Sequence, residues 1–396
     1  MDTTIGQRIT AWRRRRGGLS QRALADLAGL SQAYISQLEA GQRPLDRKST
    51  QVSIASALNI SVAQLLGTPA AGDPVRDRAT AHVPEIRHAL VELTAGERRP
   101  PQRDRDAVRA AVRQLTDWRN EANYASITPV LSDVLRDVLA YGDDLVPEAI
   151  ETLFAARYVL RSIGHPDLGW MAAELGWMTA QAYADPAWRA QAAYNRVQAF
   201  PVESAGLGAR VTARMADDLQ GETARAAQEM YGCLHVLGAL QAAVGGRGDE
   251  ATARLNEAAD VAGSLGEPQR YGPMSAGING NWFGPTQVEV WRVAVAAELG
   301  DAATALAVAA RIDLSALPLP NRHVYYHLDM ARALAAGDKD LDAMHSLAKA
   351  ERSAPQHFRF SPVSTELVGT LVHRARRRAV HGEMATLARK LGIDVL

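Results

Sequence analysis

The apolar residues of this sequence recur at helical spacing in every strongly patterned stretch. From about residue 106 onward these stretches are rich in alanine and roughly 12 to 18 residues long, which suits amphipathic helices. They lack the alternation of β-branched and polar residues that is typical of a strand. The pattern therefore predicts an all-α fold.

Length and composition limit the class of protein. The chain has 396 residues, of which 47% are hydrophobic, so two or three domains of roughly 100 to 200 residues are expected. The single cysteine, Cys233, cannot form an internal disulfide. No stretch approaches the roughly 20 uninterrupted apolar residues needed to cross a bilayer, and no charged start precedes an apolar run near residue 1. We expect a cytoplasmic protein that does not bind a membrane.

Charge is distributed unevenly along the chain. Residues 1–67 contain nine Lys and Arg residues against four Asp and Glu residues, which gives this segment a net charge of +5. Because the whole chain is neutral, the remainder carries −5. A basic segment on a mildly acidic remainder indicates a module that binds a polyanion, and the alternative is a chance fluctuation of composition.

The first 67 residues contain short amphipathic segments separated by cap and turn residues. Ser20 and Ser31 are N-cap residues in front of two of these segments, and Gly29 provides the turn between the two. The predicted helices of this compact unit span residues 5–15, 21–28, 32 to about 40 and 62–66. Before the last of these, the apolar residues Val52, Ile54, Ala55 and Leu58 mark a further helix that ends at Asn59.

The segment from Leu19 to Gly41, LSQRALADLAGLSQAYISQLEAG, resembles the Cro/CI (XRE-type) family of repressors, and the resemblance extends over residues 5–67. It implies a five-helix helix-turn-helix domain whose third helix lies in the major groove of double-stranded operator DNA. Independently of this resemblance, five apolar residues have the spacing expected of one small core between the second and third helices. These residues are Leu24, Leu27, Leu30, Ile35 and Leu38.

The third helix supplies the residues expected to recognise bases. Its exposed face opposes the buried Ile35 and Leu38, and it combines glutamines, which can form a bidentate pair with adenine, with an alanine suited to a thymine methyl group. By resemblance, Gln21 and Arg43 bind DNA phosphates, and the alternative for the arginine is a solvated surface charge. The predicted DNA-contacting residues are Gln21, Ser31, Gln32, Ala33, Tyr34, Ser36, Gln37 and Arg43.

The resemblance also implies an ion pair that braces the recognition helix. The family pairs an arginine late in the first helix with a glutamate at the end of the third, and these residues are Arg13 and Glu39 here. The Gly17-Gly18 pair adds one residue to the commoner spacing of the family, which leaves the register of the first helix open by one position. Proteins of this kind bind palindromic operators as dimers, so we expect a homodimer.

A proline- and glycine-rich stretch follows the DNA-binding unit. Residues 68–105 are predicted to form a linker with one short helix at about 84–95, which would tether the N-terminal domain, residues 1–67, without fusing it to the rest. The remainder, residues 106–396, is predicted to be one helical domain for sensing and dimerisation.

Glycine-aspartate turns join pairs of amphipathic segments in the C-terminal domain, at Gly248-Asp249, Gly300-Asp301 and Gly337-Asp338. Around the last turn, small residues and a proline fall at the spacing of the 34-residue tetratricopeptide (TPR) pattern. These features predict an α-solenoid of TPR-like hairpins, and the alternative is a generic helical bundle. The residues that match the pattern are Ala331, Ala343, Ala350 and Pro355.

The stretch from residue 266 to 287 departs most from the helical pattern. Aromatic and amide side chains in a long loop suit a ligand pocket, whereas the alternative is a connector that fills a gap between hairpins. The candidate ligand-binding residues are Tyr271, Asn279, Asn281, Trp282 and Phe283.

The other sequence features do not indicate catalysis. His323 and His327 are four residues apart but lack the acid of a His-Glu-x-x-His zinc motif, and no phosphate loop or nucleophile elbow is recognisable. We expect neither enzymatic activity nor a cofactor.

The whole chain resembles large helical regulators of actinobacteria, a similarity that its excess of Arg over Lys also favours. Roughly 300 residues beyond the DNA-binding unit are far more than dimerisation requires, which favours a transcriptional regulator that senses a small molecule or peptide. The alternative is a scaffold, bound to DNA, whose repeats hold a protein partner.

Overall fold

A computed structural model describes residues 4–16, 18–67, 74–268 and 281–381. Within these ranges the secondary structure is helical, without a β-strand, which confirms the predicted fold class. None of the helices in these ranges is long and apolar enough to span a membrane. The N-terminal unit, called the head below and comprising residues 4–67, contains α1 (Ile5–Arg15), α2 (Gln21–Ala28), α3 (Gln32–Glu39), α4 (Lys48–Leu58) and α5 (Val62–Leu66).

Local hydrogen bonds explain where the helices of the head begin and end. The Ser20 side chain accepts a hydrogen bond from the backbone N–H of Ala23, and the Ser31 side chain accepts one from Tyr34, at 3.0 and 3.1 Å. Gly29 ends α2 at φ +65°, a left-handed conformation that glycine adopts without strain. The predicted caps and turn are thus confirmed.

The core of the head differs from the prediction at one position. Ile35, Leu38 and Leu24 are buried as expected, but Leu27 is 61% exposed, so its assignment to the core is wrong. The inward stripe of α2 consists of Leu24, Ala25 and Ala28, and Leu27 lies beside this stripe on the helix surface.

The body, defined as residues 74–268 and 281–381, is built from helix hairpins. The most extensive contacts join α10 to α11, α14 to α15 and α18 to α19. The described helices of the body are α6 (Pro74–Thr80), α7 (Val83–Thr94), α8 (Arg105–Asn120), α9 (Tyr124–Ala140), α10 (Val146–Ser162), α11 (Pro166–Ala180), α12 (Pro186–Ala199), α13 (Ala205–Asp217), α14 (Arg225–Val244), α15 (Gly248–Leu265), α16 (Pro285–Leu299), α17 (Ala302–Ala309), α18 (Pro320–Ala336), α19 (Asp340–Ser353), α20 (Pro355–Phe360) and α21 (Pro362–His381).

The stretch predicted to be a linker is largely part of the body. It contains two helices, α6 and α7, where the sequence predicted one. Ala79, Ile86 and Leu90 on these helices are fully buried in a hydrophobic core shared with α9 and α10. Burial of this apolar face stabilises α6 and α7 despite the prolines of this stretch.

The last hairpins of the body return to the first ones. Val324 on α18 and Leu367 on α21 lie in the same hydrophobic core as Leu131 on α9 and Leu153 on α10. The Tyr124 hydroxyl also lies 2.5 Å from Nδ1 of His357, which connects the start of α9 to α20. Helices that a linear stack of repeats would keep far apart are therefore neighbours.

The head packs against the body, so the prediction of a loosely tethered head is wrong. The loop before α4 and the start of α4 contact α16, α18 and α21, and Val202 of the body packs on the core of the head. These contacts join residues that are 141 to 332 positions apart in the sequence. Local sequence patterns do not predict contacts at such separations.

Candidate nucleic-acid interface

The recognition helix α3 presents the predicted face to solvent. Gln32, Ala33 and Gln37 are exposed, whereas Ile35 and Leu38 on the opposite side are buried in the head. Ser31 is exposed at the N-cap, and Tyr34 and Ser36 are half-buried. Every predicted DNA-contacting residue of α3 therefore has at least part of its surface available, and the contacts themselves stay a prediction.

The predicted brace between α1 and α3 is present. Arg13 donates from Nε to Glu39 Oε1 at 2.7 Å and from Nη2 to Glu39 Oε2 at 2.9 Å, a bidentate pair that confirms the register of the resemblance. Burial raises the pKa of Glu39, but hydrogen bonds from Arg13 and Gln21 outweigh this effect and lower it overall.

Gln21 connects this brace to the recognition face. Its Nε2 atom donates to Glu39 Oε2 at 2.8 Å, and its Oε1 atom accepts a longer hydrogen bond of 3.3 Å from Gln32 Nε2. The chain of contacts from Glu39 through Gln21 orients Gln32, one of the residues predicted to recognise a base. Gln21 at the start of α2 thus lies beside the N-terminal end of α3, and its contact with a DNA phosphate stays a prediction.

Arg43 lies in the loop after α3 and is exposed. Its guanidinium carbon is 4.8 Å from the centroid of the Tyr34 ring, which restricts the arginine without neutralising it. Burial raises the pKa of Tyr34, so its hydroxyl stays protonated at neutral pH. The pair therefore offers one positive charge and one neutral hydroxyl beside the recognition helix.

A cleft of about 330 Å³ separates this part of the head from the body. Tyr34, Gln37 and Arg43 line it from the head, and Arg332 and Arg374 line it from the body. The recognition helix is therefore bordered by the body on one side, an arrangement that sequence reasoning did not anticipate.

Arg332 on α18 is the central residue of the contact between head and body. It is 8% exposed and donates to three carboxylates: Asp46 of the head at 3.2 Å, Glu298 of α16 at 3.1 Å and Asp329 of α18 at 2.9 Å. An arginine buried among three acids has its charge and several of its N–H groups satisfied. Removing it would leave carboxylates of both units without this cationic partner.

Carboxylates of the body also bind backbone N–H groups of the head. Glu298 Oε1 accepts from the N–H of Ser49 in the first turn of α4 at 3.1 Å, and Glu203 accepts from Val62 at the start of α5 at 3.3 Å. Glu366 accepts from the N–H of Leu45 at 3.3 Å. Helix N-termini leave such N–H groups without intrahelical partners, so the body completes the capping of two head helices.

The described part of the predicted ligand loop is buried. Asn281 Nδ2 donates to Gln191 Oε1 at 2.6 Å, Trp282 Nε1 donates to the Ala316 carbonyl at 3.0 Å, and Phe283 is 2% exposed in a core between helices. This placement favours the alternative in which the segment fills a gap, and ligand contacts of these residues stay a prediction. The other two candidates, Tyr271 and Asn279, lie outside the described residues.

Comparison with known proteins gives one match. Residues 4–66 match the family model described as a helix-turn-helix domain, which coincides with the head as the structure defines it. Neither the curated proteins nor the solved structures contain a match to the chain. The match and the geometry agree that the head is a DNA-binding helix-turn-helix domain carried by a helical-hairpin body.

Proposed function

We propose that this protein is a sequence-specific transcriptional regulator that binds operator DNA as a homodimer and whose body senses a small molecule or peptide. The observation that carries the proposal is the exposed face of α3, held by the Arg13–Glu39 pair in a helix-turn-helix head. The proposal assigns no catalytic activity to the chain.

The contact between head and body supports the sensing role. A regulator must transmit a change in its body to the position of its recognition helix, which requires interactions that differ between two states. Arg332 and Glu298 bind both units directly, so we assign this role to their contacts. A ligand that moves α16 or α18 would shift the head with them.

The proposal includes a TPR-like origin for the hairpins of the body. Ala331, Ala343 and Ala350, which match the pattern, are each fully buried between α18 and its neighbours. Small residues at these positions let paired helices approach closely, as the repeat requires.

A scaffold that binds a protein partner is the second candidate function. Leu341 is 79% exposed and Met344 is 44% exposed, and both lie on α19 three positions apart. Apolar side chains at this spacing form one face of a helix that a protein partner would cover. Under this function, DNA binding would only localise the partner.

Selection of DNA sequences from a random library by the full-length protein tests sequence-specific binding. An enriched motif is expected, and Gln32→Ala should relax preference at one base position at a cost of about 1 to 3 kcal/mol. Arg43→Ala should weaken all sequences alike, because a phosphate contact carries no sequence information. Absence of any enriched motif would contradict the proposal.

The homodimer is tested separately by light scattering of the purified protein. A mass of twice the 42.6 kDa of one chain is expected at micromolar concentration. A monomer at this concentration, with or without DNA, would exclude dimeric operator binding.

A further inference from the structure

The cleft between the head and the body has the size of a small-molecule site. Its volume is about 330 Å³, which lies at the lower end of the range of roughly 300 to 1,000 Å³ that ligand pockets occupy. Tyr34, Gln37 and Arg43, which are predicted to contact DNA, form part of its wall. A molecule bound in the cleft would therefore lie against the DNA-binding face of the head.

Two arginines of the head, Arg43 and Arg47, line the cleft without an acidic partner. Neither forms an ion pair with any residue that the structure describes. The guanidinium carbon of Arg43 lies 4.8 Å from the centroid of the Tyr34 ring, and Arg47 Nε donates to the carbonyl oxygen of Glu298 at 3.0 Å. An aromatic ring and a backbone carbonyl hold the two guanidinium groups but leave their charges without a counter-ion.

The body holds Arg47 at the edge of the cleft. Gly300 ends α16 in the left-handed conformation, at φ +79°, and a Cβ atom at this position would lie 2.9 Å from Arg47 Nη1. The guanidinium therefore lies against bare backbone of the body, where a larger residue would displace it. A cation fixed in this way loses little conformational entropy when it binds a ligand.

The acids that line the cleft are paired with arginines of the body. Asp46 accepts a hydrogen bond from Arg332 at 3.2 Å, and Asp338 lies 3.6 Å from Arg374. These two body arginines also bind carboxylates that do not line the cleft. The cations left to bind an anion are therefore the two arginines of the head.

Four alanines line the cleft from the side of the body. They are Ala297 on α16, Ala302 on α17, and Ala333 and Ala336 on α18. Alanine side chains are short, so they leave space opposite the arginines, and they offer apolar surface without hydrogen-bonding groups. This wall suits a ligand that has a negative charge at one end and a compact apolar part at the other.

We propose that the cleft binds a small organic acid, whose carboxylate pairs with Arg43 and Arg47 and whose apolar part lies against the four alanines. This inference deepens the proposed sensing role and rests on it. Because Arg43 is also predicted to bind a DNA phosphate, the acid and the operator would compete for it. The acid would thus weaken operator binding, and the operator would weaken binding of the acid by the same factor.

Calorimetric titration of the full-length protein with benzoate and with leucine tests the site. Benzamide and leucinamide, which lack the carboxylate, are the matched controls, and the buffer contains no other carboxylate. Saturable binding with one site per chain is expected for at least one acid, and its amide should bind at least about tenfold more weakly. Benzoate alone would identify a simple acid, leucine alone would identify an amino acid, and binding of both would indicate a site that tolerates either. The inference fails if neither acid binds, or if acid and amide bind equally.

Matched variants show whether a bound acid occupies the cleft. Arg47→Gln should weaken binding at least about tenfold, and Arg47→Lys, which keeps the charge, should weaken it less. Arg189→Gln, which removes an exposed arginine on α12, should leave binding unchanged. Ala336→Leu narrows the cleft at an exposed position, so it should fold normally and weaken binding, whereas Ala303→Leu, exposed on α17 outside the cleft, should not.

Binding that neither Arg47→Gln nor Ala336→Leu weakens would place the acid elsewhere, which contradicts the cleft site but leaves the sensing role intact. Fluorescence anisotropy with the tightest-binding duplex of the DNA selection tests the competition. An acid at about 100 times its dissociation constant should weaken duplex binding at least about tenfold, and this response should be lost in Ala336→Leu and kept in Ala303→Leu. An unchanged affinity for DNA would contradict the competition. The DNA selection itself is run without either acid, so failure of the cleft site and failure of sequence-specific DNA binding are distinguishable.

Discussion

Glu39 shows how one side chain can position a recognition helix. Its carboxylate accepts hydrogen bonds from Arg13 on α1 and from Gln21 on α2, so three helices meet at one group that is mostly shielded from water. The orientation of Gln32 depends on this group through Gln21. Glu39, which is not expected to touch DNA, therefore fixes the orientation of Gln32, which is expected to contact a base.

Replacing Glu39 should destabilise the head in a pH-dependent way. The pKa of Glu39 is lowered in the folded protein, so its contribution to stability is complete above the unfolded value of about 4.3 and is lost as the pH falls through the folded value. Glu39→Gln should lower the free energy of unfolding by about 1 to 3 kcal/mol at pH 7, and by less near pH 3. Urea unfolding at the two pH values measures the difference, with the exposed Glu97→Gln as control. An equal loss at both pH values would contradict this account.

Two glycines in neighbouring helices should respond oppositely to the same substitution. A Cβ atom at Gly232 on α14 would lie 1.9 Å from the ring of Phe283, whereas one at Gly263 on α15 would have nothing within 4 Å. Gly232→Ala should cost about 1 to 3 kcal/mol or more through overpacking, and Gly263→Ala should stabilise its helix by about 0.5 to 1 kcal/mol. Thermal unfolding of both variants tests this pair, and a stabilising Gly232→Ala would show that Phe283 does not pack on α14.

At the scale of helices, the sequence predicts the elements whose signals are local. Ser20, Gly29 and Ser31 place the ends of α2 and α3 correctly because each cap binds a backbone group within a few residues. Helix α4 instead begins at Lys48, upstream of the apolar residues that mark it in the sequence, and its N-cap residue makes no side-chain hydrogen bond. Glu298 of α16 supplies the missing acceptor at Ser49, and no pattern near residue 48 could reveal it.

The same contrast applies to the recognition face and to the contact between head and body. The face of α3 was predictable because one helix carries all its residues. The contact was not, because it joins Arg332 of α18 to Asp46 of the head, 286 positions earlier in the sequence. The sequence gives the number of charged residues but does not show which of them form ion pairs.

Arg332 should control how firmly the head is docked. Removing one partner of a buried ion pair costs about 3 to 5 kcal/mol, because the remaining charges stay buried, and Arg332→Ala leaves Asp46 and Glu298 in this state. Faster hydrogen exchange at the amides of Ser49 and Leu45, which bind body carboxylates, is the expected result.

Arg292→Ala on α16 is the matched control for this prediction. It removes an arginine from a half-exposed pair with Glu289 within the same helix, where a loss of about 0 to 1 kcal/mol is expected. Exchange of the Ser49 and Leu45 amides should stay at the level of the unmodified protein. Equal exchange in Arg332→Ala and Arg292→Ala would mean that the head does not depend on Arg332.

For the whole molecule, docking would determine which operators the proposed dimer can bind. Flexible tethers would let two heads adapt to half-sites at several separations, whereas in the proposed dimer heads bound to the body through Arg332, Glu203 and Glu366 would be held at one separation. The geometry of the dimer would then determine the spacing between the two half-sites of the operator.

Operators with altered spacing test this consequence of docking, once a two-fold symmetric motif has been selected. Adding about 5 base pairs places the second half-site on the opposite side of the duplex, and adding about 10 restores the side but increases the separation by about 34 Å. Docked heads should lose at least about tenfold in affinity for both longer operators. Arg332→Ala should recover part of the loss for the addition of 10 but not of 5, because a released head gains reach more easily than it twists around DNA. If the unmodified protein binds the operator lengthened by 10 as tightly as the original, the heads move independently in solution and docking does not set operator spacing.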